Sequence, residues 1–235
     1  MTGGQPVLLI VAKAPIPGQV KTRLTPPFTA HQAAALAAAA LLDTLDACRA
    51  AARLHGAEVA LALSGDLAQA LAEDSIRSAL AGVRLLPQRG EGLAARLAAA
   101  HIDAAGDFGA TLQVGMDTPQ VRPEVLADGL VRLTSADGPD AILGLAEDGG
   151  WWALGLRRAG AARCLLPVAM STSHTGVDTL AALRREQHRV ELLPTLRDVD
   201  TAEDVFLVAE EAGGRFGALA RALHHRRLPR RSPRG

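Results

Sequence analysis

Short runs of unbroken apolar residues recur along the chain, separated by longer segments whose apolar positions repeat at helical spacing. Residues 7–12 (VLLIVA) are the first such run, and the lack of polar alternation predicts a strand covered on both faces. Thr29 stands where a cap belongs for a helix over 30–54, apolar all round with Asp and Arg along one side. A second strand is predicted at 58–63 (EVALAL), followed by a Ser64-Gly65-Asp66 turn and a helix over 67–80 interrupted near Asp74-Ser75. Residues 83–86 read as a short third strand ended by Pro87. After Gly90-Glu91-Gly92 a helix fills 93–105. Residues 111–115 (TLQVG) form a fourth strand that runs into Met116-Asp117-Thr118-Pro119, and Pro123 suits the first turn of a helix to 133. Strands five and six, 141–145 (AILGL) and 151–156 (WWALGL), are joined by Glu147-Asp148-Gly149-Gly150, where D-G is a hairpin signal. Short helices at 160–165 and 177–185, a seventh strand at 189–193 and one last helix over 202–223 complete the pattern.

Strands alternating with helices imply an α/β fold: a three-layer α/β/α arrangement with a mostly parallel, Rossmann-like central sheet. One domain over 1–223 is expected, followed by a basic, proline-broken, disordered tail over 224–235 (HHRRLPRRSPRG). In such sheets ligands bind beyond the carboxyl ends of the strands. The polar clusters of this chain fall there: 13–23, Asp117, Glu147-Asp148 and Asp198-Val199-Asp200.

Composition narrows the function classes. Apolar residues make up 49% of the chain, but there are only four Phe, two Trp and no Tyr, which argues against stacking platforms for single-stranded nucleic acid. The formal net charge is zero, so no global field steers DNA or an anionic membrane toward the protein. Cys48 and Cys164 are isolated among Ala and Leu, which implies neither a disulfide framework nor a zinc site; a cytoplasmic location is expected. No stretch is long and apolar enough to be read as a signal peptide or a membrane span. The partners expected are small molecules.

The strongest chemical signal is a residue choice. Of 25 Lys plus Arg, only Lys13 and Lys21 are lysines, and both lie in the loop K-A-P-I-P-G-Q-V-K-T-R-L after the first strand. A compact ammonium and a guanidinium are not interchangeable against phosphate. Pro15 and Pro17 stiffen the loop and Gly18 permits a positive φ. Lys21, Thr22 and Arg23 then offer a point charge, a hydroxyl and a planar fork for a di- or triphosphate. Neither the Walker spacing nor G-x-G-x-x-G is present. Asp117 at a strand end suits a divalent cation facing phosphate, or else an Asx turn before Pro119. Glu147, Asp148 and the paired glycines Gly149 and Gly150 can meet a metal, sugar hydroxyls or an amine, or simply make a turn. Asp198 and Asp200 share one side of an extended segment and serve either as N-caps or as metal ligands. His174 lies in S-T-S-H-T-G, but no G-x-S-x-G elbow accompanies it.

Taken together, A-K-A-P-I-P-G-Q-V-K-T-R-L, Q-R-G-E-G-L-A-A-R, G-M-D-T-P, D-G-G-W-W-A-L-G-L and D-V-D-T-A-E-D resemble a bacterial family of nucleotide-diphospho-sugar-transferase-like proteins, long catalogued as a domain of unknown function and often labelled glycosyltransferases. The family is similar to molybdenum-cofactor and 2-phospholactate guanylyltransferase-like enzymes. The resemblance implies a GT-A-like fold and a transferase that uses a nucleotide or nucleotide-sugar with Mg2+ or Mn2+, glycosyl transfer first and nucleotidyl transfer as the alternative. A binding module without chemistry is the reading from a different class. The resemblance places Lys13, Pro17, Gly18, Lys21, Thr22, Arg23, Gln88 and Arg96 on the nucleotide side, and Asp117 and Asp200 at the metal. Asp148, Gly149, Gly150, Trp151 and His174 fall on the acceptor side, and Lys21, Asp117 and Asp148 carry the chemistry. Two departures bear on the acceptor pocket: Trp151 replaces the family's tyrosine, and V-A-M-S-T (168–172) replaces its P-W-S-T.

Overall fold

A computed structural model describes residues 5–227. Seven strands form one sheet: β1 (Val7–Lys13), β2 (Glu58–Ser64), β3 (Arg84–Pro87), β4 (Thr111–Gly115), β5 (Ala141–Ala146), β6 (Trp151–Leu156) and β7 (Val190–Leu196). Their order is β3-β2-β1-β4-β6-β5-β7. β6 pairs antiparallel with both β4 and β5, while the other pairings are parallel. The mostly parallel sheet therefore has its strand ends, β6 excepted, opening toward one edge.

Among the described residues seven α-helices cover the sheet: α1 (Ala30–His55), α2 (Glu73–Ala79), α3 (Gly92–Ala105), α4 (Pro123–Thr134), α5 (Thr175–Arg185), α6 (Ala202–Glu211) and α7 (Gly214–Arg227). β1 shows why its run is unbroken. Leu8, Ile10 and Ala12 join the core with α1, α2 and α4, while Val7 and Leu9 face Ala100 and Ala104 of α3 on the other side. Both faces are covered from Val7 to Ala12, so every position there is apolar. Thr29 caps α1 in a full capping box with Gln32. No helix among the described residues is long and apolar enough to cross a membrane.

Three segments depart from the sequence expectation. The helix expected over 67–80 is a 3-10 turn at Leu67–Gln69 followed by α2, and the break falls at 70–72 rather than near Asp74-Ser75. The cause is tertiary: the Leu71 N–H donates to the Pro15 carbonyl at 3.0 Å, so the chain leaves its helix to brace the first loop. The helix expected over 202–223 is two helices. Asp43 of α1 accepts the N–H groups of Arg215 and Phe216 at 3.0 and 2.8 Å, capping α7 from across the fold. The stretch expected as a helix over 160–165 is a 3-10 segment, Ala159–Leu165. The last helix also runs through His224–Arg227, where the disordered tail was expected to begin; residues 228–235 lie outside the described residues.

α6 and α7 pack on the N-terminal half of α1. Their shared core holds Leu24 and Phe28 from the first loop together with Val199, Val205 and Phe216. This cluster fixes the first loop and the segment before α6 to one another, although they are far apart in sequence.

Candidate functional site

The site grows from the carboxyl ends of β1, β4, β5 and β7. After β1 the chain folds back on itself: the N–H groups of Gln19 and Val20 donate to the Ile16 carbonyl, and Ile16 and Val20 are buried. Gly18 takes φ +77° in this turn. Lys21 then adopts the left-handed region (φ 47°, ψ 42°), uncommon for a residue with a Cβ, and a 3-10 turn over Thr22–Leu24 drives Leu24 into the core. A side chain held in this conformation is placed by its surroundings.

Lys21 points inward with only 11% of its side chain exposed, and its Nζ lies 2.8 Å from Asp117 Oδ1 and 2.8 Å from Asp200 Oδ1. Burial works against the ammonium, but the two carboxylates outweigh it and hold the Lys21 pKa above its ordinary value. Arg23, 75% exposed, reaches Asp200 Oδ2 at 3.5 Å. Lys13 is exposed at the end of β1, and its N–H meets Met116 Sδ at 3.4 Å, beside Asp117.

Carboxylate oxygens of Asp148, Asp198 and Asp200 lie within 4.8 Å of one another. Val199 is buried, so its neighbours share the opposite side of the extended segment, the period-2 placement read from the sequence. Neither aspartate caps α6: Thr201 does, in a capping box with Asp204. Burial, then the charges of Asp148 and Asp200, push the Asp198 carboxyl up to about 6. The three oxygens form a hard donor set that could hold a divalent cation.

The turn between β5 and β6 packs on the loop before α5. Gly149 at φ +91° has no room for a Cβ against the Ser173 carbonyl, and its own carbonyl accepts the Gly176 N–H at 2.8 Å. Asp148 Oδ1 accepts the Gly150 N–H at 2.7 Å, Trp151 Nε1 donates to Thr179 Oγ1 at 3.2 Å, and His174 is exposed at the start of α5. Thus the residues expected on the acceptor side share one rim. Gln88 and Arg96 each have backbone partners. The Gln88 amide donates to the carbonyls of Ala12 and Ala62, tying β1 to β2, and Arg96 donates to Gly90 O at 3.3 Å on the exposed face of α3.

Two residues absent from the sequence reading hold the loops together. Arg197 pairs with Glu147, next to Asp148, and with Asp204 Oδ1 at 3.0 Å. Its carbonyl accepts from Gln120 Nε2 at 2.6 Å, in the loop after Asp117. The Val199 N–H donates to the Asp117 carbonyl at 2.9 Å. One arginine thereby joins the loops that bear Asp117, Asp148 and Asp200. No local motif marks such a residue.

Solved structures share this architecture. A protein from Desulfovibrio desulfuricans G20, provisionally named a nucleotide-diphospho-sugar transferase, is similar over 94% of this chain and 95% of its own, with TM-score 0.79 and 26% identity. A 4-diphosphocytidyl-2C-methyl-D-erythritol synthase matches 87% of this chain and 96% of its own (TM-score 0.53, 17% identity). A CMP:2-keto-3-deoxy-manno-octonic acid synthetase complexed with CTP matches 96% of this chain and 100% of its own (TM-score 0.55, 13% identity). The last two likenesses are likenesses of fold. No curated protein matches the chain. A family profile matches residues 44–172, more than half of the sequence, and the chain belongs to that family, described as uncharacterized protein conserved in bacteria (DUF2064).

Proposed function

We propose that the chain is a divalent-metal-dependent transferase acting on a nucleotide-activated donor, first a nucleotide-diphosphate sugar whose glycosyl group passes to a small-molecule acceptor. One observation carries the reading: an inward lysine bridges Asp117 and Asp200 at the strand ends, beside the Asp148, Asp198 and Asp200 carboxylates. The name given to the D. desulfuricans structure is in keeping with it.

Asp200, with Asp198 of the same carboxylate group and Asp117 joined to it through Lys21, would hold Mg2+ or Mn2+, which when bound neutralises the diphosphate of the leaving nucleotide; Asp148, the third member of that group, is left to the acceptor. Lys13, Lys21 and Arg23 bind the phosphates; Arg23 is exposed enough to swing onto them. Asp148 keeps Oδ2 free while Oδ1 accepts from Gly150, and it faces the acceptor rim, where it can take the proton of an acceptor hydroxyl. Trp151 and His174 bound that rim. The rate advantage comes from positioning and from charge placed where the leaving group develops its own.

Nucleotidyl transfer is the second reading, favoured by three cations in one loop, a number that suits a triphosphate. Thermal unfolding with a panel of NTPs and UDP-, GDP- and dTDP-sugars, with and without Mg2+ or Mn2+, tests both. Metal-dependent stabilisation by nucleotide-sugars supports the first reading, and by NTPs the second. Stabilisation without turnover of any acceptor points to a binding module. No shift at saturating ligand sinks the transferase reading.

A further inference from the structure

Lys21 occupies the position a cation would want. Its ammonium touches Asp117 and Asp200 at 2.8 Å each, and Asp200 is also a member of the carboxylate group with Asp148 and Asp198. A divalent cation placed on Asp200 would stand close to a buried positive charge, where repulsion is poorly screened. Phosphate offers the same ammonium an anion of higher charge. Outside this loop the chain uses only arginine, whose planar fork is built for one bidentate partner. A lysine presents three donors from a compact head and can pass between two carboxylates and a phosphate. Its left-handed backbone and the buried Leu24 fix where the side chain starts, while the side chain itself keeps four rotatable bonds.

We infer that Lys21 is the resident counter-ion of the carboxylate site, and that the site loads in a fixed order. The phosphates of an incoming nucleotide draw the Lys21 ammonium off Asp117 and Asp200, and only then do these carboxylates accept the divalent cation. The inference rests on the metal-dependent reading above and adds to it a sequence of events: nucleotide first, metal second. The empty protein is thereby kept from loading a metal before its substrate arrives.

The test uses two probes on the full chain. Mn2+ alone is titrated by electron paramagnetic resonance, and inorganic pyrophosphate is titrated in EDTA by thermal shift. Lys21→Met is expected to bind Mn2+ at least about tenfold more tightly than the wild type, since a competing cation has gone. The same variant is expected to bind pyrophosphate at least about tenfold more weakly. Lys21→Arg, which keeps the charge, is expected to stay near the wild type for Mn2+. Lys21→Gln guards against loss of fold and must show both shifts seen with Lys21→Met. Opposite movement of two ligands is something a merely structural role cannot produce. If the wild type binds Mn2+ and neither neutral variant binds it more tightly, the inference is overturned while the metal reading stands. If no form of the protein binds Mn2+ alone, the inference is overturned; if none binds it with pyrophosphate present either, the metal reading falls with it. Loss of both ligands by both neutral variants also overturns it.

Discussion

Asp198→Asn is expected to stabilise the metal-free protein at neutral pH while weakening its capacity to hold a metal. The carboxyl of Asp198 is pushed from an ordinary 3.8 to about 6 by burial and by the charges of Asp148 and Asp200. That difference of about two units, at about 1.4 kcal/mol per unit, bounds the cost of the charged form at about 3 kcal/mol. Asp198 is only partly buried, so solvent screening reduces this by roughly half, to about 1.5 kcal/mol. The sign follows from the raised pKa. Below about pH 4 both the folded and unfolded states hold the proton and nothing is lost. Between about pH 4 and 6 the unfolded chain releases it first, so stability falls as pH rises, and the full cost is present above about pH 7. The asparagine variant lacks this loss. Urea unfolding in EDTA should therefore show it about 1.5 kcal/mol more stable than the wild type at pH 7.5, equivalent to roughly 3–6 °C in Tm for a chain of this size. The gap should close toward pH 4, where effects common to both proteins cancel. A gap of equal size at both pH values, or a variant less stable at pH 7.5, refutes the argument that charge crowding at this carboxylate is stored in the empty site.

Three further expectations concern the scaffold. His101 is fully buried on α3, with Nδ1 2.6 Å from Thr111 Oγ1, and burial pulls its pKa from 6.5 down to about 3. The unfolded chain takes up the proton first as pH falls, so wild-type stability should drop by about 1.4 kcal/mol per pH unit below about 6.5, and His101→Asn should lose that component of the slope in pH-dependent urea unfolding. Gly149→Ala forces a Cβ against the Ser173 carbonyl at a positive φ and should cost about 2–4 kcal/mol, read as a lower urea midpoint. Arg197→Met removes the pairs to Glu147 and Asp204, both partly exposed. The urea midpoint should stay close to the wild type's, because exposed pairs are screened by solvent, whereas Mn2+ affinity measured with nucleotide present should fall about tenfold or more.

How much of this was legible in the sequence depends on the range of the interaction that decides each feature. β1, α1 and β4 were readable because their patterns are local: an unbroken apolar run, a Thr29 cap, a strand ending in Asp117. The breaks at 70–72 and 212–213 were not, because Pro15 and Asp43 decide them from across the fold. Lys21 and Asp117 stood out individually, one by the rarity of lysine and the other by its strand end. That they touch one another and Asp200 depends on the Leu24, Val199 and Phe216 packing, which leaves no periodic trace. Arg197 was invisible for a different cause: in a chain so rich in arginine, nothing in its own neighbourhood distinguishes it from a solvated surface residue.

The division of labour along the chain follows from the same packing. Residues 44–172, the span that defines the family match, contain β4, β5 and β6 with Asp117 and Asp148, but not Lys21, Asp198, Asp200 or Arg197. Those four come from the two flanks, and α6 and α7 bring the flanks together by packing on the first half of α1. The central span therefore supplies five of the seven strands, β2 to β6, and two carboxylates, while β1, β7, the resident cation, the remaining carboxylates and the arginine that spans three loops are supplied by the ends. A change in the α1–α7 contact, such as one at Phe216, should then act on Lys21 and Asp200 together, since Leu24 and Val199 lean on the same apolar cluster. The charge balance at the strand ends is in that sense a property of the tertiary fold, held by hydrophobic packing that touches none of the charged atoms.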